Sequence, residues 1–302
     1  MYAVIDIGSN TMRLVLYRLV DGEPRQMLNS KQAAGLAGYI DREQRLSHRG
    51  IQKAIEVLRR FRLTLDSVGA ERMFVFATAS LRNVVNTQEV VQAIRDACGL
   101  EVRVLTGREE ALLDYHGALR ALNVRDGLMV DIGGGSTELV RFRDGRAQDT
   151  CSLPMGSLNL YNRFVRDVVP TPEELKKIRA YAASLLRDAD FPLEEASFLY
   201  GVGGTCRAGC ALSDELFDEQ AGYAGFSCQR LKKFRRLLKE DRRRLISAMI
   251  KAAPDRLHTL MPGLAILEAV AARFDCACFA ASPYGVREGY LLHMLEGETG
   301  HA

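Results

Sequence analysis

Val4-Ile5-Asp6-Ile7-Gly8-Ser9-Asn10-Thr11-Met12-Arg13-Leu14-Val15 is matched, without a gap, by Met129-Val130-Asp131-Ile132-Gly133-Gly134-Gly135-Ser136-Thr137-Glu138-Leu139-Val140. Aligned on Asp6 and Asp131, both stretches read apolar-apolar-Asp-Ile-Gly, then small polar residues, then Leu-Val. The two aspartates stand about 125 residues apart, roughly the length of a domain. Apolar runs on either side of a glycine turn predict a strand, a tight turn and a return strand in each copy. Such a turn presents backbone N–H groups, and glycine lets a phosphate come close to them. An aspartate at the strand end suits a hydrated metal or a water molecule. The duplication therefore predicts two related domains gripping a phosphorylated ligand between them.

Working outward from the two turns, strand and helix patterns alternate in the same order twice. The first hairpin is followed by a strand near Met27–Ala34 and a helix capped by Ser47 that runs to about Val68. A buried strand at Met73–Thr78, a helix from Thr87 and a strand at Val102–Leu105 come next. The second hairpin covers about 127–143, with helices near 158–165 and 172–186 and a strand at Phe198–Val202. Basic helices occupy roughly 229–252, Pro262-Gly263 opens a helix, and a short strand at Cys276–Ala280 precedes a last helix from Val286. This alternation argues for mixed α/β sheets. No Pro/Gly/Ser-rich linker divides the 302 residues, so the boundary is expected near Asn123: one domain over 1–123, completed by the helix of 286–302, and one over 124–285.

Composition narrows the class. With 47% hydrophobic and 26% charged residues, the chain has the balance of a globular protein. No run approaches the ~20 apolar residues of a membrane span. Seven cysteines, an odd number without framework spacing, fit a reducing, cytoplasmic setting. The net charge of +3 is unevenly placed: residues 230–244 hold nine lysines and arginines against Glu240 and Asp241. That segment is either a solvated helix face or a landing strip for a polyanion. Nucleic acid is the weaker partner, because no aromatic residues are interleaved for base stacking.

Three further stretches carry chemistry. In Thr106-Gly107-Arg108-Glu109-Glu110, Thr106 and Glu109 have the spacing of a capping box. Glu110 is then the spare carboxylate of the first turn, either complementing the helix dipole or serving as a general base on a rigid element. Arg82 closes Ala77-Thr78-Ala79-Ser80-Leu81-Arg82, where it is a surface residue or a bidentate phosphate contact. Tyr200-Gly201-Val202-Gly203-Gly204-Thr205 runs a strand into a glycine turn and a helix, a context for phosphate at Gly203 and Gly204. It has neither the Gly-Lys-Ser/Thr ending of a Walker loop nor the last glycine of a dinucleotide fingerprint. The five histidines show no zinc spacing, and no nucleophile elbow is present.

Together these blocks resemble the exopolyphosphatase/guanosine pentaphosphate phosphatase (Ppx/GppA) family. The resemblance rests on DIGSNTMRLVLY at 6–17, ATASLRNVVN at 77–86, LTGREEALLDYHGAL at 105–119, VDIGGGSTELV at 130–140, LPMGSLNLYNRF at 153–164, YGVGGTCRAGCAL at 200–212 and SPYGVREGYL at 282–291. It implies an α/β fold of two duplicated actin-like domains, of the sugar kinase/Hsp70/actin superfamily and RNase H-like, with an interdomain cleft. It further implies a Mg²⁺- or Mn²⁺-dependent hydrolase that releases orthophosphate from the ends of inorganic polyphosphate.

The roles implied by the resemblance fall on matching positions. Glu110 corresponds to the catalytic glutamate. Asp6, Gly8, Ser9, Asn10 and Thr11, and Gly133, Gly134, Gly135, Ser136 and Thr137, correspond to phosphate-binding turns. Arg82 corresponds to a phosphate-contacting arginine, and Asp131 and Glu138 to acidic residues associated with the metal. The chain departs from the family pattern at Ala33-Ala34-Gly35-Leu36 and at Asn159, where members often carry an arginine. It also stops after the two-domain core, without the helical extension of long members. The alternatives are a guanosine pentaphosphate (pppGpp) 5′-phosphohydrolase and a non-catalytic regulator that binds polyphosphate or alarmone. The resemblance allows a homodimer and implies neither a nucleic-acid nor a membrane partner.

Overall fold

The structure, a computed structural model, describes residues 1–217 and 225–299. The chain forms two compact units, one of Met1–Glu110 with the segment from Tyr290 on, the other of Ala111–Gly289. The first unit contains β1 (Tyr2–Ile7), β2 (Thr11–Val20), β3 (Glu23–Ala33), α1 (His48–Val68), β4 (Arg72–Ala77), α2 (Ala79–Arg82), α3 (Thr87–Cys98), β5 (Val102–Val104) and the first turn of α4 (Gly107–Ala121). Its sheet has the order β3-β2-β1-β4-β5. β1 runs antiparallel to β2 and parallel to β4. Ser47 caps α1, its side chain accepting from the Gly50 N–H, as the sequence predicts. The core lies between the sheet (Ile5, Ile7, Leu14, Val75) and the apolar faces of α1 (Ile55, Leu58, Phe61) and α3 (Val90, Ile94).

The second unit continues α4 and adds β6 (Gly127–Ile132), β7 (Thr137–Arg143), β8 (Arg146–Leu153), α5 (Ser157–Phe164), α6 (Pro172–Asp188), β9 (Phe198–Val202), α7 (Gly203–Phe217), β10 (Gly225–Ser227), α8 (Gln229–Glu240), α9 (Arg242–Ala252), α10 (Leu260–Arg273), β11 (Cys278–Ala281) and the start of α11 (Val286–Thr299). Its sheet reads β8-β7-β6-β9-β11-β10. Apart from the added β10 this is the topology of the first sheet, antiparallel across β6 and β7 and parallel across β6, β9 and β11. Even the second hairpin turns repeat. Asp21-Gly22 and Asp144-Gly145 all have positive φ, as the type I′ turn that suits twisted strands requires. The two units are thus copies of one domain topology.

Local differences from the sequence pattern have physical causes. α10 begins at Leu260, before Pro262-Gly263, because proline is tolerated in a first helical turn. Gly263 there lies against Thr205, where a Cβ would stand 2.3 Å from the threonine methyl. The strand before α1 starts at Glu23, earlier than its apolar residues suggest, because β3 is an edge strand with one long partner. The basic run 230–244 spreads over α8 and α9, and much of its charge is spent internally. Arg230 is buried and donates to the Ser213 hydroxyl. Arg235 reaches buried Glu268, and Arg242 donates to the carbonyls of Val169 and Pro170. Lys232, Lys233, Arg236, Lys239, Arg243 and Arg244 remain exposed. Among the described residues no helix is long and apolar enough to cross a membrane.

Candidate active site

Both Asp-Ile-Gly turns are closed and braced in the same way. In the first, the Gly8 N–H donates to the Thr11 carbonyl at 3.2 Å, and in the second Gly133 does so to Ser136 at 3.0 Å. The chain that follows each hairpin then folds back onto its turn. Ala34 and Gly35 donate to the Asn10 carbonyl and Ala37 to that of Ser9. Ser157 donates to the Gly133 carbonyl at 2.8 Å, and Leu158 and Asn159 to that of Gly134 at 3.0 Å. A trans peptide points its N–H opposite to its C=O. Holding those carbonyls therefore turns the N–H groups of Asn10, Thr11, Gly134 and Gly135 away from the brace. The stretch Ala33-Ala34-Gly35-Leu36, which lacks an arginine, serves its turn through backbone groups.

Strand alternation fixes the two candidate metal carboxylates. Asp131 and Glu138 are cross-strand partners on β6 and β7, and paired residues share a sheet face. Both are buried, and Glu138 accepts from the Ser152 hydroxyl at 2.8 Å. The Asp131 carboxylate lies against the first residue of α7, since a Cβ on Gly203 would stand 2.3 Å from its Oδ1. Among the described residues no cluster of three or more His, Cys, Asp or Glu is set to hold a metal. Magnesium does not need one: it is commonly held by one or two carboxylates, with substrate phosphates and water completing its shell. The facing pair fits that donor set. Thr137, expected on phosphate, is fully buried with its hydroxyl donating to the Met155 carbonyl. One residue from Glu138 along a strand, it faces the opposite side, so its side chain braces the turn from the core.

The sequence reading missed the cations beside this turn. Arg256, from the short turn before α10, lies over the Gly203-Gly204 turn, where a Cβ on Gly204 would stand 2.0 Å from its Nη2. Arg207, one helical turn into α7, donates to the Ser282 carbonyl at 3.1 Å. Burial lowers the pKa of both, and each feels Asp131; Arg287 depresses Arg207 further, and Arg207 depresses Arg256. Crowded, partly desolvated guanidiniums that stay charged are relieved by an anion. His258, two residues after Arg256, has its pKa lowered by burial and then by that arginine. Arg207 was legible as the residue one turn beyond the Gly-Gly pair, whereas no local pattern marks Arg256.

In the first unit the capping box forms as predicted. The Thr106 N–H donates to Glu109 at 2.8 Å and the Glu109 N–H to the Thr106 hydroxyl at 3.2 Å. Those bonds, led by the Thr106 amide and joined by Arg103, lower the Glu109 pKa. Glu110 is consequently turned elsewhere. It is buried, and its Oε2 accepts from Arg82 Nη1 at 2.6 Å. The same nitrogen donates to the Leu105 carbonyl at 3.2 Å, so Arg82 ties the end of β5 to the start of α4. The arginine expected on phosphate and the glutamate expected to be catalytic therefore meet. Ser80, just before Arg82, donates to the Ile7 carbonyl at the end of β1 and anchors α2 beside the first turn.

Known proteins resemble this chain along nearly its whole length. A sequence model of the Ppx/GppA phosphatase family matches residues 15–298. The chain is 26% identical to the Aquifex aeolicus member of that family, covering 98% of each chain with a TM-score of 0.79. A second structure of an Aquifex aeolicus PPX-GPPA enzyme is 27% identical, with 97% of this chain and 98% of that one covered and a TM-score of 0.75. An exopolyphosphatase from Cytophaga hutchinsonii shares the fold at 23% identity, with 98% of each chain covered and a TM-score of 0.82. With the family model spanning nearly the whole sequence over a duplicated α/β fold, the chain belongs to the Ppx/GppA phosphatase family.

Proposed function

We propose that this phosphatase is an exopolyphosphatase, which cuts the terminal phosphoanhydride bond of inorganic polyphosphate and releases orthophosphate. The observation that carries the reading is Glu110, a buried carboxylate on the first turn of a helix, paired with Arg82 and freed from capping duty by Glu109. A phosphoanhydride needs charge neutralisation and an in-line water more than covalent chemistry. In this reading Glu110 takes a proton from the attacking water. The new P–O bond forms as the bridging P–O bond breaks, leaving orthophosphate and a chain shorter by one phosphate. The outward N–H groups of Asn10 and Thr11 on one glycine turn, and of Gly134, Gly135 and Ser136 on the other, hold phosphoryl oxygens, while Asp6, Gly8, Ser9 and Gly133 form and close the turns. Gly203 and Gly204, together with Arg82, Arg207 and Arg256, complete the anion-binding groups. A divalent cation, Mg²⁺ or Mn²⁺, held by Asp131 and Glu138 would neutralise charge on the phosphates. A cytoplasmic setting fits the seven free thiols.

The deciding experiment measures phosphate release from tripolyphosphate, long-chain polyphosphate and guanosine pentaphosphate side by side. The reading expects the highest kcat/KM on a polyphosphate. Preference for the nucleotide would make the chain a 5′-phosphohydrolase, and binding without release would make it a sensor.

Gly204→Ala tests the arginine contact. The new methyl meets the far end of a flexible side chain, so Arg256 moves and the backbone does not. Losing one charge-assisted contact to phosphate weakens tripolyphosphate binding about 10- to 100-fold by titration calorimetry. The melting temperature stays within a few degrees. Unchanged affinity would remove Arg256 from the site.

The exposed lysines of α8 give a second, smaller test. Replacing Lys232, Lys233 and Lys239 by glutamine raises the KM for long chains several-fold at low salt and leaves that for tripolyphosphate unchanged. Their attraction is screened within about 8–10 Å at ordinary salt, so only substrate extending past the site feels them. Equal effects on both substrates, or none, would make α8 an ordinary solvated face. Arg235 is left in place because it holds Glu268.

A further inference from the structure

The side-chain amide of Asn159 is engaged with the second turn through both its oxygen and its nitrogen. Its Oδ1 accepts from the Gly156 N–H at 2.7 Å. Its Nδ2 donates to the Gly135 carbonyl at 2.9 Å and to that of Pro154 at 3.3 Å. Its own N–H is one of those on the Gly134 carbonyl. Gly156 is pressed against the same loop: a Cβ there would stand 2.3 Å from the Gly134 carbonyl carbon and 2.4 Å from the Gly135 nitrogen.

These contacts divide the work along the turn. Backbone N–H groups of α5 hold the carbonyls of Gly133 and Gly134, which sets the amides of Gly134 and Gly135. The next peptide, Gly135–Ser136, is held by a side chain, the Asn159 amide. Its plane fixes the direction of the Ser136 N–H. We propose that Asn159 is a positioning residue that sets the third amide of the 133–136 turn. The proposal rests on the reading of this turn as a phosphate cradle.

Two substitutions separate this role from helix capping. Asn159→Asp keeps the acceptor for the Gly156 N–H and adds a carboxylate that suits the first turn of a helix. It loses both donors to the turn. Asn159→Ala loses donors and acceptor alike without adding charge. Each is compared with wild type by kcat and KM on tripolyphosphate, and by hydrogen–deuterium exchange of peptides covering 133–136 and 156–160. Kinetics are repeated at about 1 M salt, where the Debye length is only about 3 Å and the added charge of the aspartate is screened.

The expected result is a KM raised about tenfold for both variants at both salt concentrations, the effect of one lost net hydrogen bond of roughly 1.4 kcal/mol. Amides of Gly133 and of Ser157 to Asn159 exchange about tenfold faster, because the bonds they make to the turn are loosened. An aspartate variant with wild-type KM and wild-type exchange would overturn the proposal and leave Asn159 a helix cap. If the alanine variant does not fold, the aspartate variant decides alone. If the wild type releases no phosphate from polyphosphate, the functional reading fails, and exchange in the aspartate variant still decides whether Asn159 sets the turn.

Discussion

Glu110→Gln lowers turnover on polyphosphate at least roughly 100-fold, the scale expected when a general base is lost. The substitution isolates the charge. Glutamine has nearly the same shape, and its amide oxygen accepts from Arg82 Nη1 as the carboxylate does at 2.6 Å. The start of α4 is secured independently, by the Thr106–Glu109 box. The melting temperature should therefore move by only a few degrees, and KM should stay within a few-fold of wild type. Glu109→Gln is the matched control. It keeps the side-chain acceptor for the Thr106 N–H, loses the ion pair with Arg103, and costs much less activity. Stopped assays of phosphate release, with affinity measured on the same preparations, give both numbers. A Glu110→Gln protein within a few-fold of wild type would take this residue out of the chemistry and leave it as the counter-ion of Arg82.

How far such a site can be read in advance depends on whether its parts are local. The duplicated domain was legible because strand, turn and return strand lie within a dozen residues, and the period of a strand is visible in that span. The capping box was legible for the same reason, and it correctly separated Glu109 from Glu110. Alternation alone also places Asp131 and Glu138 on one face and Thr137 on the other, once the turn is centred on residues 133–136. What the sequence hides is non-local. Arg256 reaches the Gly203-Gly204 turn from about 50 residues further along the chain, a distance set only when α7 and the turn before α10 pack together. The basic run misleads for the opposite reason. Its spacing shows charge, yet not that Arg230, Arg235 and Arg242 reach partners on α7, on α10 and in the loop before α6.

Removing divalent cations is expected to abolish activity, and adding back Mg²⁺ or Mn²⁺ to restore it. The two copies of the hairpin differ in the residue that faces the aspartate. In the first unit the partner of Asp6 across the strands is Arg13, an opposite charge. In the second unit the partner of Asp131 is Glu138, a second buried carboxylate. Like charges directly opposite on a sheet are destabilising, so the second copy calls for a cation where the first carries its own. Arg207 and Arg256 also act on Asp131, and they offer the competing account in which the aspartate is simply their counter-ion. The two accounts part on chelation. If Asp131 and Glu138 hold the metal, protein treated exhaustively with EDTA and repurified retains less than about 1% of its activity, as removal of charge stabilisation worth several kcal/mol requires. Asp131→Asn then raises the Mg²⁺ concentration needed for half-maximal rate by roughly tenfold or more, since a neutral amide is a weaker ligand than a carboxylate. If the arginines alone neutralise the substrate, the chelated enzyme stays active, and Asp131→Asn tightens anion binding by releasing two guanidiniums from their counter-charge. Titrating Mg²⁺ into both proteins at fixed tripolyphosphate reads which of these opposite shifts occurs.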